Sequence, residues 1–371
     1  MDVIELTREL VSLDTAGHAE NDAVAVLAPI LESAGFRLDV VEHEPGRGTL
    51  VAEWEVDRPE APLCLSGHLD TVPFGAAPWE RGPLGAELDG DRLHGRGTTD
   101  MKGGVAAIVV AATRVAAHRP ARAGLRLVLT AAEETGSLGA AAAATWLKGR
   151  PSGPLVITEP TDNVVAFGHK GALWLSAQAH GVTAHGSMPH LGDNAVTKLA
   201  GAVTRIDGTE FAADAHPAMG RPTLNVGTFH GGLNVNSVPD HAEARVDVRS
   251  VPGQEHDAIR AHLGERAGPG VTLTPIVDLP PVWTDPAGTW VTSVAETARA
   301  VTGAPAAAPR AMSFFTDASV LTRALGSVPT VICGPGRPEL AHTTDEWCSV
   351  TRIHESVEVL ERVCRDWCGF P

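Results

Sequence analysis

Apolar and polar positions follow two different periods along this chain, and the changes between them outline its organisation. Over residues 3–34 apolar side chains recur three and four positions apart, which predicts two amphipathic helices, the second ending at Gly35. Short β-rich runs follow at Arg37–Val41 and Thr49–Trp54. Leu63–Ser66 then reads as a buried strand, Val105–Ala117 as a helix, Leu125–Ala131 as a strand, Leu138–Leu147 as a helix and Leu155–Thr158 as a strand. Strands that alternate with helices imply an α/β fold built on a largely parallel sheet with both faces covered.

The rhythm changes at Gly171. The predicted order becomes strand (Ala172–Ala179), helix (Ala195–Ile206), strand (Thr223–Phe229), strand (Ala242–Val248), helix (Glu255–Arg266) and strand (Val271–Val277). This βαββαβ order is ferredoxin-like, a compact insert with an open sheet face or edge. The Pro-rich strings Leu279-Pro280-Pro281-Val282 and Asp285-Pro286-Ala287-Gly288 read as a hinge back to the first domain. A helix, a strand at Val328–Cys333 and a closing helix near Arg352–Asp366 complete the chain. The expected domains are 1–170 with 280–371, and an insert at 171–279.

Composition narrows the chemistry. Among 371 residues, 29 Lys and Arg face 45 Asp and Glu, a formal charge of −16 that disfavours nucleic acid and anionic membranes as partners. The five cysteines are odd in number and form no CxxC pair, so a reducing compartment is expected and a thiolate zinc site is not. The first residues lack the basic start and apolar run of a signal peptide, and the expectation is a cytoplasmic protein. No tyrosine is present, which removes phenolic acids and oxyanion donors; 16 histidines remain.

Five acidic or histidine clusters fall at the predicted carboxyl ends of strands, where open α/β sheets place ligands. In Ser66-Gly67-His68-Leu69-Asp70, extended backbone puts His68 and Asp70 on one side, so the carboxylate can fix an imidazole tautomer. Gly95-Arg96-Gly97-Thr98-Thr99-Asp100-Met101-Lys102-Gly103-Gly104 leads into a helix; it satisfies neither phosphate-loop pattern, and Asp100 reads either as a ligand or as the helix N-cap. Glu133-Glu134 follows the strand Leu125–Ala131. At ~4 Å and an effective dielectric of ~20 such a pair costs about 4 kcal/mol, which a buried site must relieve with a proton or a cation. Glu159 and His342 close the set. Two histidines and three carboxylates make an N/O donor set suited to zinc or related divalent ions. HExxH and GxSxG motifs are absent.

Ser66-Gly67-His68-Leu69-Asp70-Thr71-Val72-Pro73, Gly97-Thr98-Thr99-Asp100-Met101-Lys102-Gly103-Gly104, Ala132-Glu133-Glu134-Thr135-Gly136 and Glu159-Pro160-Thr161 together resemble the di-zinc M20 peptidase family. That group includes acetylornithine deacetylase, succinyl-diaminopimelate desuccinylase, aminoacylase-1 and glutamate carboxypeptidase. The resemblance runs from about Leu6 to the last helix. It implies two Zn2+ ions, with Co2+ or Mn2+ as possible substitutes: Asp100 bridging, His68 and Glu159 completing one ion, Glu134 and His342 the other. It further implies that Asp70 orients His68 and that Glu133 is the general base. The insert becomes a lid and dimerisation domain in which His185, within Gly181-Val182-Thr183-Ala184-His185-Gly186-Ser187, stabilises the oxyanion and reaches the site across a homodimer. Asn236 and Arg249 fall where relatives bind the substrate carboxylate, with a salt bridge to Asp247 as the alternative use of Arg249. Thr316, Asp317 and Gly334 are expected to line the pocket. The substrate implied is a small N-acyl-L-amino acid; a dipeptide with a free carboxylate, cleaved by a dipeptidase or glutamate-type carboxypeptidase, is the alternative, and a non-catalytic binding protein of the same fold is the third reading. Phe314-Phe315-Thr316-Asp317 departs from both the deacetylase and the desuccinylase patterns, which leaves the side-chain preference open.

Overall fold

The computed structural model describes residues 1–211 and 213–370. They form two compact units: Met1–Gly168 with Trp283–Arg310 and the stretch from Thr316 onward, and His169–Val282 with Ala311–Phe315.

The first unit is built on a six-stranded mixed sheet. Its strands are β1 (Arg37–Glu44), β2 (Arg47–Trp54), β3 (Leu63–His68), β4 (Leu125–Thr130), β5 (Leu155–Pro160) and, late in the chain, β10 (Thr330–Gly334). The spatial order is β1-β2-β4-β3-β5-β10. Strands β4, β3, β5 and β10 run parallel, while β2 pairs antiparallel with β4 and β1 with β2. Every residue of β3, β4 and β5 is buried, as the unbroken apolar runs in the sequence require of strands covered on both faces.

Helices α1 (Val3–Val11), α2 (Glu20–Ser33), α3 (Gly103–Ala116), α7 (Thr289–Thr302) and α9 (Val350–Cys368) form one connected layer, whereas α4 (Leu138–Leu147) and α8 (Ala318–Ala324) pack together elsewhere on the unit. Local sequence explains their ends. Asp2 accepts the N–H groups of Ile4 and Glu5 to start α1, and Ser349 accepts that of Arg352 to start α9, which stops at Gly369 with φ +77°. Residues Gly103 to Ala112 of α3 are buried without exception, so this helix is apolar all round rather than amphipathic. Its close seating needs glycine: a Cβ on Gly104 would lie 2.4 Å from the carbonyl oxygen of Thr158 in β5.

The second unit carries β6 (Ala172–His180), α5 (Ala195–Asp207), β7 (Thr223–Gly231), β8 (His241–Arg249), α6 (His256–Ala267) and β9 (Val271–Leu279). The four strands form an antiparallel sheet in the order β7-β8-β6-β9, the ferredoxin-like arrangement. Strand β8 alternates buried and exposed positions, and α5 and α6 pack against the sheet around Leu173, Leu175, Val246, Val248 and Leu263. Strand β7 is an edge strand and mostly exposed.

Gly104→Ala is expected to lower stability by about 1–3 kcal/mol, because the methyl group meets backbone that cannot yield. Gly264→Ala, in α6 with open space where the Cβ would go, is expected to raise it by about 0.5–1 kcal/mol. Urea unfolding of the two variants checks the opposite signs; an equal effect at both sites contradicts the packing described.

Candidate metal centre

The parallel strands deliver their carboxyl ends to the same edge of the sheet. His68 is the last residue of β3, Glu133 and Glu134 follow β4, and Glu159 lies near the end of β5. Asp100 comes from the turn before α3, and His342 from the loop after β10, where it adopts φ +62°.

These side chains converge within the first unit. His68 Nε2 lies 3.1 Å from Asp100 Oδ1 and 3.8 Å from Glu159 Oε1. His342 Nε2 lies 3.1 Å from Glu134 Oε1 and 3.3 Å from Asp100 Oδ2. Asp100 therefore offers one carboxylate oxygen to each imidazole. Donor atoms of His68, Asp100 and Glu134 lie within 4.8 Å of one another, and so do those of His68, Glu133 and Glu159. Asp100 is not the N-cap of α3: the helix starts at Gly103 with Lys102 in the cap position, and the Asp100 carboxylate is taken by His68.

Asp70 does more than face His68. The ring's Nδ1 donates to the Asp70 backbone oxygen at 2.9 Å, with the carboxylate Oδ1 at 3.5 Å. The two carboxylate oxygens instead accept the backbone N–H groups of Glu133 and Glu134, each at 3.1 Å. One residue thus fixes the imidazole and the adjacent pair of glutamates.

Burial sets the electrostatics. It pushes Asp70 up to about 7, with Glu134 adding to the rise, and drives Glu133 and Glu159 well above the usual carboxylate range, aided by Glu159 on Glu133 and by Asp100 on Glu159. For Asp100 burial acts in the same direction but is outweighed by hydrogen bonds from His342 and His68, which hold it below the usual range. Burial lowers His68; the hydrogen bond to Asp100 and the charges of Glu159 and Asp70 reverse that and hold it well above its ordinary value. Hydrogen bonds to Asp100 and Glu134 push His342 up to about 10.

The donor set fits a pair of divalent cations. Glu133 Oε1 is buried and has no hydrogen-bond partner among the described residues, although it sits beside His68 and Glu159. Buried carboxylates of this number, two imidazoles and an orphan oxygen demand compensating positive charge, and oxygen with imidazole nitrogen suits Zn2+, Co2+ or Mn2+.

The other predicted residues are placed as follows. Thr316 is buried, and its Oγ1 accepts the N–H of Ala318 at the start of α8. Gly334 is buried at the end of β10, where a Cβ would lie 2.0 Å from the Thr158 oxygen, so close backbone approach accounts for its identity. His185, Asn236 and Arg249 belong to the second unit. There His185 Nδ1 accepts the backbone N–H of Ser187 at 3.1 Å, and the Asn236 carbonyl accepts the N–H of Gly186 at 2.7 Å. Arg249 Nε meets Asp247 Oδ1 at 2.9 Å and its guanidinium lies 5.7 Å from the Phe315 ring, while Nη1 is buried with no hydrogen-bond partner among the described residues.

Asp317, expected to line the pocket, is buried with Oδ2 hydrogen-bonded to Thr130 and with its pKa raised by burial. Sequence reasoning missed Arg96 and Glu346, which form a buried pair at 2.6 Å. Arg96 stood inside the motif quoted for Asp100 and Glu346 shortly after His342, and the usable signal was a charged residue in a stretch that strand and helix order bury.

Similarity to known proteins extends along most of the chain. A family model described as Peptidase family M20/M25/M40 matches residues 64–366. An acetylornithine deacetylase of Vibrio atlanticus is 30% identical over 390 residues, covering 98% of this chain and 98% of its own. A protein of Staphylococcus aureus described as a probable succinyl-diaminopimelate desuccinylase is 28% identical, covering 97% and 98%. The crystal structure of the M20 family metallo-carboxypeptidase Sso-CP2 from Sulfolobus solfataricus superposes with a TM-score of 0.82 at 19% identity over 99% of this chain and 100% of that one.

Without metal, the folded chain holds protons on Asp70, Glu133 and Glu159 that the unfolded chain releases near pH 4. Stability present below that point is lost as pH rises towards the folded values, and His342 adds a further loss above about pH 6.5. The metal-free chain should therefore melt several °C lower near pH 8 than near pH 5.5, and Zn2+, which competes with those protons, should raise the melting temperature more at the higher pH. A larger zinc effect near pH 5.5 contradicts the site electrostatics.

Proposed function

The chain belongs to peptidase family M20/M25/M40, and we propose that within it this protein removes the acyl group from an N-acyl-L-amino acid, in the manner of its acetylornithine deacetylase relatives. It is a metal-dependent amidohydrolase of that family, acting on acyl-amino acid or peptide substrates. The observation that carries the reading is Glu133: a buried carboxylate with an unpartnered oxygen beside a histidine and carboxylate cluster.

Two divalent cations, held by His68, Asp100 and Glu159 on one side and by Asp100, Glu134 and His342 on the other, would supply Lewis acidity at a carbonyl and a lowered pKa for water. The chain's own residues do the rest. Glu133, raised by burial, takes a proton from the attacking water at Oε1 and returns it to the leaving amine. Asp70 holds the backbone of Glu133 and Glu134 so that one carboxylate serves as ligand and its neighbour as base.

In the second unit, Ser187 engages His185 Nδ1 through its hydroxyl (2.7 Å) and its backbone N–H (3.1 Å), and Nε2 is the ring nitrogen assigned to a developing oxyanion. Arg249, steadied by Asp247 and Phe315, keeps Nη1 for the substrate carboxylate, and Asn236 assists on the same substrate. Thr316 and Gly334 line the pocket through the walls they build. The neighbouring Phe315 ring, 5.9 Å from that of Trp174, gives the side-chain preference its own character.

The protein works as a homodimer through the inserted domain. Leu233 and Val235 are 97% and 101% exposed beside edge strand β7, an apolar edge that a second copy can cover. Sedimentation equilibrium should return twice the chain mass; a monomer at tens of micromolar overturns this part. No helix among the described residues is long and apolar enough to cross a membrane. The five cysteines are free and buried, which supports a reducing, cytoplasmic location.

A hydrolysis panel on zinc-loaded protein should show turnover of N-acetyl amino acids above that of dipeptides, and Glu133→Gln should retain metal while losing ~100-fold or more in kcat. Turnover of dipeptides alone, or full activity in the variant, contradicts the proposal.

A further inference from the structure

Three segments that carry site residues meet on one buried ion pair. Arg96 Nη1 donates to Glu346 Oε2 at 2.6 Å and to the Thr343 carbonyl at 3.1 Å, and Nη2 donates to the Pro73 carbonyl at 3.3 Å. Thr343 is the residue after His342, and Pro73 ends the segment that begins at His68. The second oxygen of Glu346, Oε1, accepts the backbone N–H groups of Thr99 at 2.8 Å and of Asp100 at 3.1 Å. Both side chains are almost wholly buried, and the guanidinium lies 5.1 Å from the Trp79 ring.

The backbone explains why such a pair is required. Asp100 has non-helical angles and precedes α3, and Gly97 sits at φ +83°, so this turn does not continue the helix that follows it. Glu346 accepts the N–H groups of Thr99 and Asp100 where a helix would have used carbonyls. His342 is held at φ +62°, which a residue with a Cβ keeps only when its surroundings over-determine it. The Thr343 carbonyl on Arg96 is one such restraint. Removing two charges from water is costly, and apolar residues of the same volume often stabilise a core as well or better. The contacts of this pair lie on the ligand-bearing segments, which points to positioning rather than bulk stability as its use. Arginine suits the place because its planar fork serves Glu346, Thr343 and Pro73 from fixed directions, which a lysine ammonium cannot.

We infer that Arg96 and Glu346 are positioning residues that preset Asp100 and His342 for the two divalent cations before either ion arrives. The inference rests on the metal-centre reading, and the experiment separates the two. Zinc titration calorimetry on metal-free wild type, Glu346→Gln and Arg96→Lys, with the visible absorption of the Co2+ forms, reads metal affinity and ligand geometry directly. Glu53→Gln is the control: it breaks the buried pair with Arg126 (2.7 Å), which sits near the start of β4, away from the cluster.

Loss of an orienting partner typically costs 10–100-fold in metal affinity. Glu346→Gln and Arg96→Lys should weaken at least one zinc step by about that factor and alter the Co2+ spectrum, while Glu53→Gln lowers the melting temperature with both zinc steps unchanged. Hydrogen exchange on the metal-free wild type needs no variant: the Thr99 and Asp100 amides should exchange ~100-fold or more slower than unprotected amides. Unchanged affinities in both variants, an equal loss in Glu53→Gln, or free exchange of those amides until zinc is added overturns the inference. A wild type that takes up no zinc overturns the metal centre itself, and the inference with it.

Discussion

The fold is built around an electrostatic debt. Asp70, Asp100, Glu133, Glu159 and Asp317 are all buried, and Glu134 lies against His342 at the rim of the same cluster. Each like-charged pair at ~4 Å costs about 4 kcal/mol at an effective dielectric of ~20, far more than any single hydrogen bond in the site returns. Parallel strands leave the chain no way to spread these groups apart, because β3, β4 and β5 all end at one edge of the sheet. Protons can settle the debt at low pH; near neutrality His68, Asp100, Glu134, Glu159 and His342 would hold divalent cations that settle it and would supply Lewis acidity at an amide carbonyl.

The two units contribute opposite hydrogen-bonding character. The first concentrates carboxylate oxygens and imidazole nitrogens, acceptors that suit cations. The second carries the His185 imidazole, whose Nδ1 is engaged by Ser187, and Arg249, whose Nη1 has no hydrogen-bond partner among the described residues. The proposed substrate, an N-acyl amino acid, would present a carbonyl on which negative charge develops and a carboxylate that already carries it, and donors of this kind suit both. The exposed apolar residues Leu233 and Val235 belong to the donor-bearing unit.

Much of this was legible in the sequence because the motifs are local. His68 with Asp70, Glu133 with Glu134, and Glu159 each sit within a few residues of a strand end, and the period of apolar positions marks those strands clearly. The βαββαβ order of the insert was readable for the same reason. What the sequence did not show are contacts made across long separations. The N-cap reading of Asp100 failed because α3 starts three residues later, at Gly103, and the Asp100 amide is taken by Glu346, 246 residues away. Asp70 was expected to face His68 with its carboxylate, yet the backbone oxygen takes the ring N–H and frees both carboxylate oxygens for the glutamate amides. Gly334 shows the reverse case, a motif residue whose identity follows from the proximity of Thr158 in a neighbouring strand. Pairings of this kind depend on strand order and register, which periodicity alone does not encode.

The central claim is that this carboxylate and histidine cluster is a two-metal centre with Asp100 shared between the ions. A crystal structure of the zinc-loaded protein, with anomalous differences measured at the zinc edge, tests it most directly. Two anomalous peaks are expected, with Asp100 oxygens on both and ligand distances of about 2.0–2.2 Å to His68 and Glu159 on one ion and to Glu134 and His342 on the other. A zinc-saturated crystal with no peak in the cluster, or with a single ion that leaves His342 and Glu134 paired to each other, would contradict the account.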